Sequence, residues 1–248
     1  MTIQKMKYNG QKNIQTAEDI KNELKFISNF DHANNLQWFF KTGKGQYGEG
    51  DVFIGVKVPN IRKVAKRHTN LPIIEIKKLL YSKIHEERLC ALLILVEKYI
   101  KSSEIERKKI FNFYIINAKQ ANNWDLVDLS CSKIIGNYLI NKNKKILYKF
   151  AISNNLWKRR ISIISTYTFI RNMKFKDSFK IAKILMNDKH DLIHKAVGWM
   201  LREVGKRNLA EEENFVKKYY KKMPRTMLRY AIEKFEEEKR INYLKGRI

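Results

Sequence analysis

The chain has 248 residues, 44% of them hydrophobic, which supplies apolar surface for a real core and excludes a disordered protein. Its 51 Lys and Arg stand against 25 Asp and Glu, a formal charge of +26 whose self-repulsion destabilises a compact state unless an anionic partner is present; the simplest such partner is nucleic acid. No long apolar run of membrane-spanning length occurs, and the polar segment Met1 to Gln15 lacks the apolar stretch of an export signal, so a cytoplasmic protein off the membrane is expected.

Only 3 prolines and 10 glycines punctuate the chain, and between them apolar residues recur three and four apart, so the fold class is all-α. Residues 1–16 read as an N-terminal extension and 17–244 as one domain. The first helices are predicted at 17–29 and 33–41. A glycine-rich segment, 43–50, follows. Gly43, Gly45 and Gly48 have the spacing of a dinucleotide fingerprint, but that device needs a strand before the glycines and a helix N-terminus directly after them. Here a helix precedes and Gly50-Asp51-Val52-Phe53 follows, so the segment reads as a tight, ordered loop leading to Pro59, a good first helical residue. Further helices are predicted at 60–68, 73–81, 84–101, 104–119, 123–139, 143–153, 155–171, 176–186, 190–206, 210–222 and 224–238. Cys90 and Cys131 fall inside apolar helical runs, where reduced thiols of a cytosolic protein reside. His190 and His194 lie one turn apart, yet no Glu follows His190 and no third ligand accompanies them, so no metal is expected. The polar start of a helix at Asp188 to Asp191 accounts for the first histidine.

Five helical segments, Glu87 to Tyr99, Trp124 to Tyr138, Arg159 to Ile170, Ile193 to Val204 and Thr226 to Phe235, recur along the chain, each paired with another helix. Such recurrence is typical of stacked helix pairs, in which each unit buries its apolar face only against its neighbours and the stack curves. Cations cluster on these segments: Arg159, Arg160, Lys195, Arg202, Lys206, Arg207, Arg225 and Arg229. Any one of them is most simply a solvated charge; the set, with few acids interspersed, points to a binding groove for a nucleic-acid backbone.

The run Asn122-Asn123-Trp124-Asp125-Leu126-Val127-Asp128 opens a helix, with an Asn cap and Asp125 in the first turn where the dipole favours an anion. Asp128 lies beyond that turn and shares a face with Trp124, four residues back. An acid beside an aromatic on an otherwise basic surface is a candidate site. Trp157 and Trp199 also stand next to cations, although tryptophan is more often core than site. Gly198, inside a helix where glycine costs about 1 kcal/mol against alanine, needs a packing or functional reason.

Taken together, FFKTGKGQYGEGDVFIGVKVPNIRKVAK (39–66), HEERLCALLILVEKY (85–99), WDLVD (124–128), WKRRISIIST (157–166), HDLIHKAVGWMLREVGKR (190–207) and MPRTMLRYAIEKF (223–235) resemble the AlkD-type alkylpurine DNA glycosylases, a branch of the DNA alkylation repair proteins. The resemblance covers roughly residues 17 to 244. It implies a curved solenoid of HEAT-like antiparallel helix pairs and a pocket formed by Trp124, Asp128, Arg160 and Trp199. Many members carry a second aromatic just before the matched tryptophan; this chain has Asn123 there. The aromatic expected on the early helix falls at Trp38 or Phe39.

The activity implied is monofunctional hydrolysis, in duplex DNA, of the bond between deoxyribose and a purine alkylated at its third or seventh ring nitrogen, by a monomer without a cofactor. An alkylated purine already carries positive charge and leaves as a neutral base, so one carboxylate suffices where ordinary glycoside hydrolysis uses two. Asp128 is expected to stabilise the oxocarbenium-like sugar and orient the water, Trp124 and Trp199 to offer π-faces, and Arg160 to hold a phosphate and keep Asp128 ionised. Arg159, Lys195, Arg202, Lys206, Arg207, Arg225 and Arg229 are expected to bind the DNA backbone. Two other classes share the basic surface: a repeat protein that recognises DNA structure without cutting it, and a scaffold for an acidic protein, which leaves the acid and aromatic pair unexplained.

Overall fold

The computed structural model describes residues 15–248, so the expected N-terminal extension lies outside the described residues apart from Gln15 and Thr16. In chain order the helices are α1 (Ala17–Phe26), α2 (Phe30–Phe39), α3 (Val58–Arg67), α4 (Ile73–Leu80), α5 (His85–Lys101), α6 (Glu104–Ile116), α7 (Trp124–Cys131) and α8 (Asn137–Leu139). They continue with α9 (Lys145–Ala151), α10 (Leu156–Ile164), α11 (Tyr167–Arg171), α12 (Lys176–Leu185), α13 (Asp191–Gly205), α14 (Leu209–Tyr219), α15 (Arg225–Ala231) and α16 (Glu237–Lys245). The fold is all-α, as the apolar spacing predicts; among the described residues the only pairing of extended backbone is an isolated bridge between Val52 and Ile84. No helix among the described residues is long and apolar enough to cross a membrane.

Polar side chains start several helices by accepting from orphan amides, including Thr16 with a reciprocal bond from Asp19, Asn29, Ser103, Asn155 and Asn208. The helices that carry the recurring segments then pack in chain order: α5 on α7, α7 on α10, α10 on α13, α13 on α15. Each also packs on a helix next to it in sequence, such as α4 on α5, α9 on α10 and α12 and α14 on α13. Successive pairs thus bury one another's apolar faces, the arrangement that stacked helix pairs require, and the core runs without interruption from Ala17 to Tyr243. Cys90 and Cys131 are free and buried within it, and burial pushes the Cys90 thiol up to about 12.

Three departures from the predicted elements have local causes. The helix expected at 155–171 breaks at Ser165 and Thr166, where the Thr166 hydroxyl donates to the Ile163 carbonyl (2.7 Å) and tightens the turn between α10 and α11. The helix expected at 123–139 widens into a π turn over Ser132–Gly136, where the Ser132 carbonyl accepts from the Asn137 amide and also from the Thr168 hydroxyl at 2.6 Å. Past Phe235 a further helix, α16, forms; it buries only Tyr243, so its Glu- and Lys-rich sequence has no apolar stripe to betray it. Gly198 has a packing reason: a Cβ there would stand 2.5 Å from both the Met227 carbonyl oxygen and the Tyr230 Cβ, so its absence lets α13 and α15 close on each other.

Candidate active site

The site is built on α7, α10 and α13, together with the end of α2 and the loop after it. Asn123 caps α7 by accepting from the Trp124 amide (2.8 Å), and Trp124 and Asp128, one turn apart, share the half-buried side of that helix. From α10, Arg160 reaches Asp128 with both edges of its fork: Nε donates to Oδ1 at 2.9 Å and Nη2 to Oδ2 at 2.7 Å. Its Nη1 donates to the Leu192 carbonyl of α13 at 2.6 Å. One guanidinium therefore ties three helices together in a bidentate, charge-assisted geometry.

Arg160 is 5% exposed, so it is committed inside the wall of the site rather than extended toward solvent as a phosphate-holding residue would be. The Asp128 side chain keeps 13% of its surface open. Burial pushes its carboxyl above the ordinary range and the Arg160 guanidinium pulls it back. Protonating it would leave a buried guanidinium without a counter-charge, so the pair is ionic at neutral pH.

A cleft of about 500 Å³ opens beside this pair, lined among others by Phe39, Tyr47, Trp124, Arg160, Trp199 and Lys195. Beneath it the rings are ordered. Trp124 stacks on Phe40 (5.1 Å, 14°), Phe40 on Phe53 (4.9 Å, 23°), and Phe53 on the imidazole of His85 (4.4 Å, 23°). Phe39 meets Trp124 edge-on at 6.1 Å, while Trp38 points away and is 83% exposed. Of the two aromatics left open by the sequence, Phe39 is thus the one at the cleft. Trp199 also lines the cleft, its indole N–H donating to Glu203 Oε1 at 3.3 Å. Trp157 belongs to the core.

The bottom of the ring stack is a buried polar network that the sequence did not reveal. The His85 imidazole lies between Asp51 Oδ2 (3.1 Å) and Asp125 Oδ2 (2.8 Å), and Arg88 Nη2 donates to Asp51 Oδ1 at 2.6 Å. Asn123 Nδ2 donates to the same carboxylate at 3.1 Å, so Asn123 is a structural link between α7 and the glycine-rich loop. Burial by itself would lower the His85 pKa; the flanking carboxylates more than offset it and hold it at about 9. Asp125, explained from sequence as a first-turn anion, has this second duty. No motif of fixed spacing could have found the set, since its contacts join residues 34 to 72 positions apart in the chain.

The loop is fixed at both ends. Asp51 is held as described, the Glu86 carboxylate accepts from the amides of Ile54, Gly55 and Val56, and Gly48 closes on the Phe40 carbonyl where a Cβ would not fit. It carries Tyr47 into the cleft, where the ring meets Trp157 edge-on at 6.3 Å. Burial raises the Tyr47 phenol, with the Trp124 indole on its hydroxyl and the Lys195 and Arg160 charges opposing. Tyr47, Lys41, His190 and Tyr230 are cleft residues that sequence reasoning passed over. His190 caps α13, its Nδ1 accepting from the Leu192 amide at 3.1 Å, and burial lowers its pKa; His194 Nε2 bonds the Asp188 carbonyl.

The cations expected to bind the DNA backbone divide. Lys195 and Arg202 line the cleft, the first paired with Asp191 (2.7 Å) and the second with Glu233. Arg159 is held by Asp188 (2.6 Å) and by the Ser153 and Asn154 carbonyls, and Lys206 and Arg207 both pair with Glu203, at 2.6 and 3.0 Å. Arg225 donates to the Leu244 carbonyl at 2.8 Å, and Arg229 is exposed on α15. The structure therefore brings Trp124, Arg160 and Trp199 to one cleft, with Asp128 held behind its lining by Arg160, and leaves Arg159, Lys206, Arg207 and Arg225 in structural pairings.

The sequence matches the family described as DNA alkylation repair enzyme over residues 20–235. Among solved structures, the chain is similar to one described as a predicted DNA alkylation repair enzyme from Enterococcus faecalis, with a TM-score of 0.69 and 18% identity over 86% of this chain and 99% of that one. At that identity the likeness establishes a shared fold. No curated protein matches the sequence.

Proposed function

Because the chain belongs to the DNA alkylation repair enzyme family, we propose that it is a monofunctional DNA glycosylase that hydrolyses the N-glycosidic bond of positively charged 3- or 7-alkylpurines in duplex DNA. The single observation that carries this reading is an aspartate locked by a bidentate arginine that itself lines an aromatic cleft.

The chemistry follows from that pairing. As the bond to the alkylated base lengthens, the electron pair leaves with the base, which becomes neutral and needs no proton. Positive charge develops on the sugar, where the Asp128 carboxylate stabilises it. Arg160 holds that carboxylate in place before the reaction, so little reorganisation is needed when charge appears. Water oriented by Asp128 then adds to the anomeric carbon and releases a proton. Trp124, backed by the Phe40 and Phe53 rings, and Trp199, which lines the same cleft, present π-faces to the cationic lesion or sugar, each worth roughly 0.5–2 kcal/mol. The role expected of Arg160 as a phosphate holder is replaced here by that of positioning Asp128. In this reading residues 17–244 act as one functional unit, a monomer in the cytoplasm.

Incubating the purified chain with methylated duplex DNA and measuring free methylpurines tests this. Release of 3- or 7-methylpurine is expected. Tight DNA binding without release would instead favour the binding-module reading.

A further inference from the structure

Helix α2 ends in a tight reversal. The Lys41 amide donates to the Trp38 carbonyl (3.2 Å) and the Thr42 amide to the Gln37 carbonyl (3.3 Å), the paired bonds of a Schellman turn with Phe40 as its last half-helical residue. That turn places position 41 in the left-handed region, and Lys41 has φ +52°. Glycine is the residue such a turn ordinarily selects, because any Cβ is crowded there. A lysine in this place is retained against a local conformational cost, and strain of this kind concentrates at sites of function.

Position alone does not decide the matter, since Met173 closes α11 in the same way at φ +59°. What separates the two is where the side chains go. Lys41 is exposed and lines the cleft together with Phe39, Trp124 and Arg160, and it also borders the groove next to Trp38. Met173 lines neither. The other cleft cations already have counter-charges: Arg160 in Asp128, Lys195 in Asp191, Arg202 in Glu233. Among the described residues no carboxylate pairs with Lys41, and residues 1–14 contain no Asp or Glu.

We propose that Lys41 is the phosphate-binding cation of the cleft, contacting the DNA backbone beside the damaged nucleotide in the role that the sequence assigned to Arg160. The inference rests on the reading of the cleft as a DNA site. The turn fixes the backbone from which the ammonium group reaches into the cleft, and the unpaired charge can release a phosphate counterion without first breaking a salt bridge. An exchange of strain for contact predicts effects of opposite sign on stability and binding.

The test uses the full chain, an undamaged duplex oligonucleotide titrated across a range of salt, and thermal melts. Lys41→Gly is expected to raise the melting midpoint by about 1–3 °C, as the left-handed turn is relieved. It is also expected to weaken duplex affinity about 3- to 10-fold and to reduce the slope of log affinity on log salt by about one. Lys41→Met, which keeps the bulk and the strain, should lose the same slope without the gain in midpoint. Met173→Gly should raise the midpoint and leave the slope unchanged. An unchanged slope in Lys41→Gly and Lys41→Met, or a lowered midpoint in Lys41→Gly, would overturn the proposal while leaving base release by the wild type as the measure of the broader reading. A wild-type chain with no salt-dependent duplex binding would overturn both.

Discussion

Replacing Asp128 by Asn perturbs one charge and almost no volume. Arg160 would keep an acceptor for Nε in the amide oxygen but would face an amide nitrogen with Nη2, where a carboxylate oxygen now stands at 2.7 Å. Breaking a fully buried ion pair from one side costs about 3–5 kcal/mol. The Leu192 carbonyl still holds Nη1, and the Asp128 side chain keeps part of its surface open, so a loss somewhat below that range, about 2–3 kcal/mol, is expected. For a chain of this size that is a fall in melting midpoint of roughly 4–10 °C. Release of methylpurine, followed in single turnover well below both midpoints, should fall by about 10²-fold or more, the effect of deleting one preorganised electrostatic group. The two losses are separable. In the double variant Asp128→Asn with Arg160→Met the buried guanidinium is gone, so stability should recover while base release stays low. Equal release by Asp128→Asn and the wild type, or recovery of release in the double variant, would refute the assignment of Asp128 to the chemistry rather than to the fold.

Two pH effects follow from the same reasoning. Asp128 acts as an anion and its carboxyl is raised by burial, so base release should be full at neutral pH and fall, as pH drops, at a point above the ordinary carboxylate range; a rate profile flat down to about pH 4 would contradict it. Glu212 is buried against the end of α13 with Oε1 unpartnered, and burial raises it from 4.5 to about 8. A raised acid favours the folded state only while it can be protonated. Its contribution is therefore complete below about pH 4.5 and is lost as pH rises through about 8. Glu212→Gln should raise stability at pH 7 to 8 by roughly 1–3 kcal/mol and flatten the dependence of the midpoint on pH between 5 and 8, and melts across that range would register the absence of either effect.

The spacing of apolar residues and the caps were sufficient to give the all-α class, the order of the main helices and the recurrence of five inward-packing segments, because helix periodicity and N-terminal chemistry are local properties carried within a dozen residues. The acid and aromatic pair of α7 was legible for the same reason, since residues four apart share a face. Whether a given cation serves DNA or the fold was not. Arg159, Lys206 and Arg207 look alike in sequence to Lys41, and only the tertiary placement of Asp188 and Glu203 commits the first three. The same holds for the buried Asp51, His85, Arg88 and Asp125 network, and for the delivery of Tyr47 to the cleft by an anchored loop. Charges compensate one another over a few ångströms in space with no regard to separation along the chain, so pairing, and with it the identity of the free charge, is decided only when the helices pack.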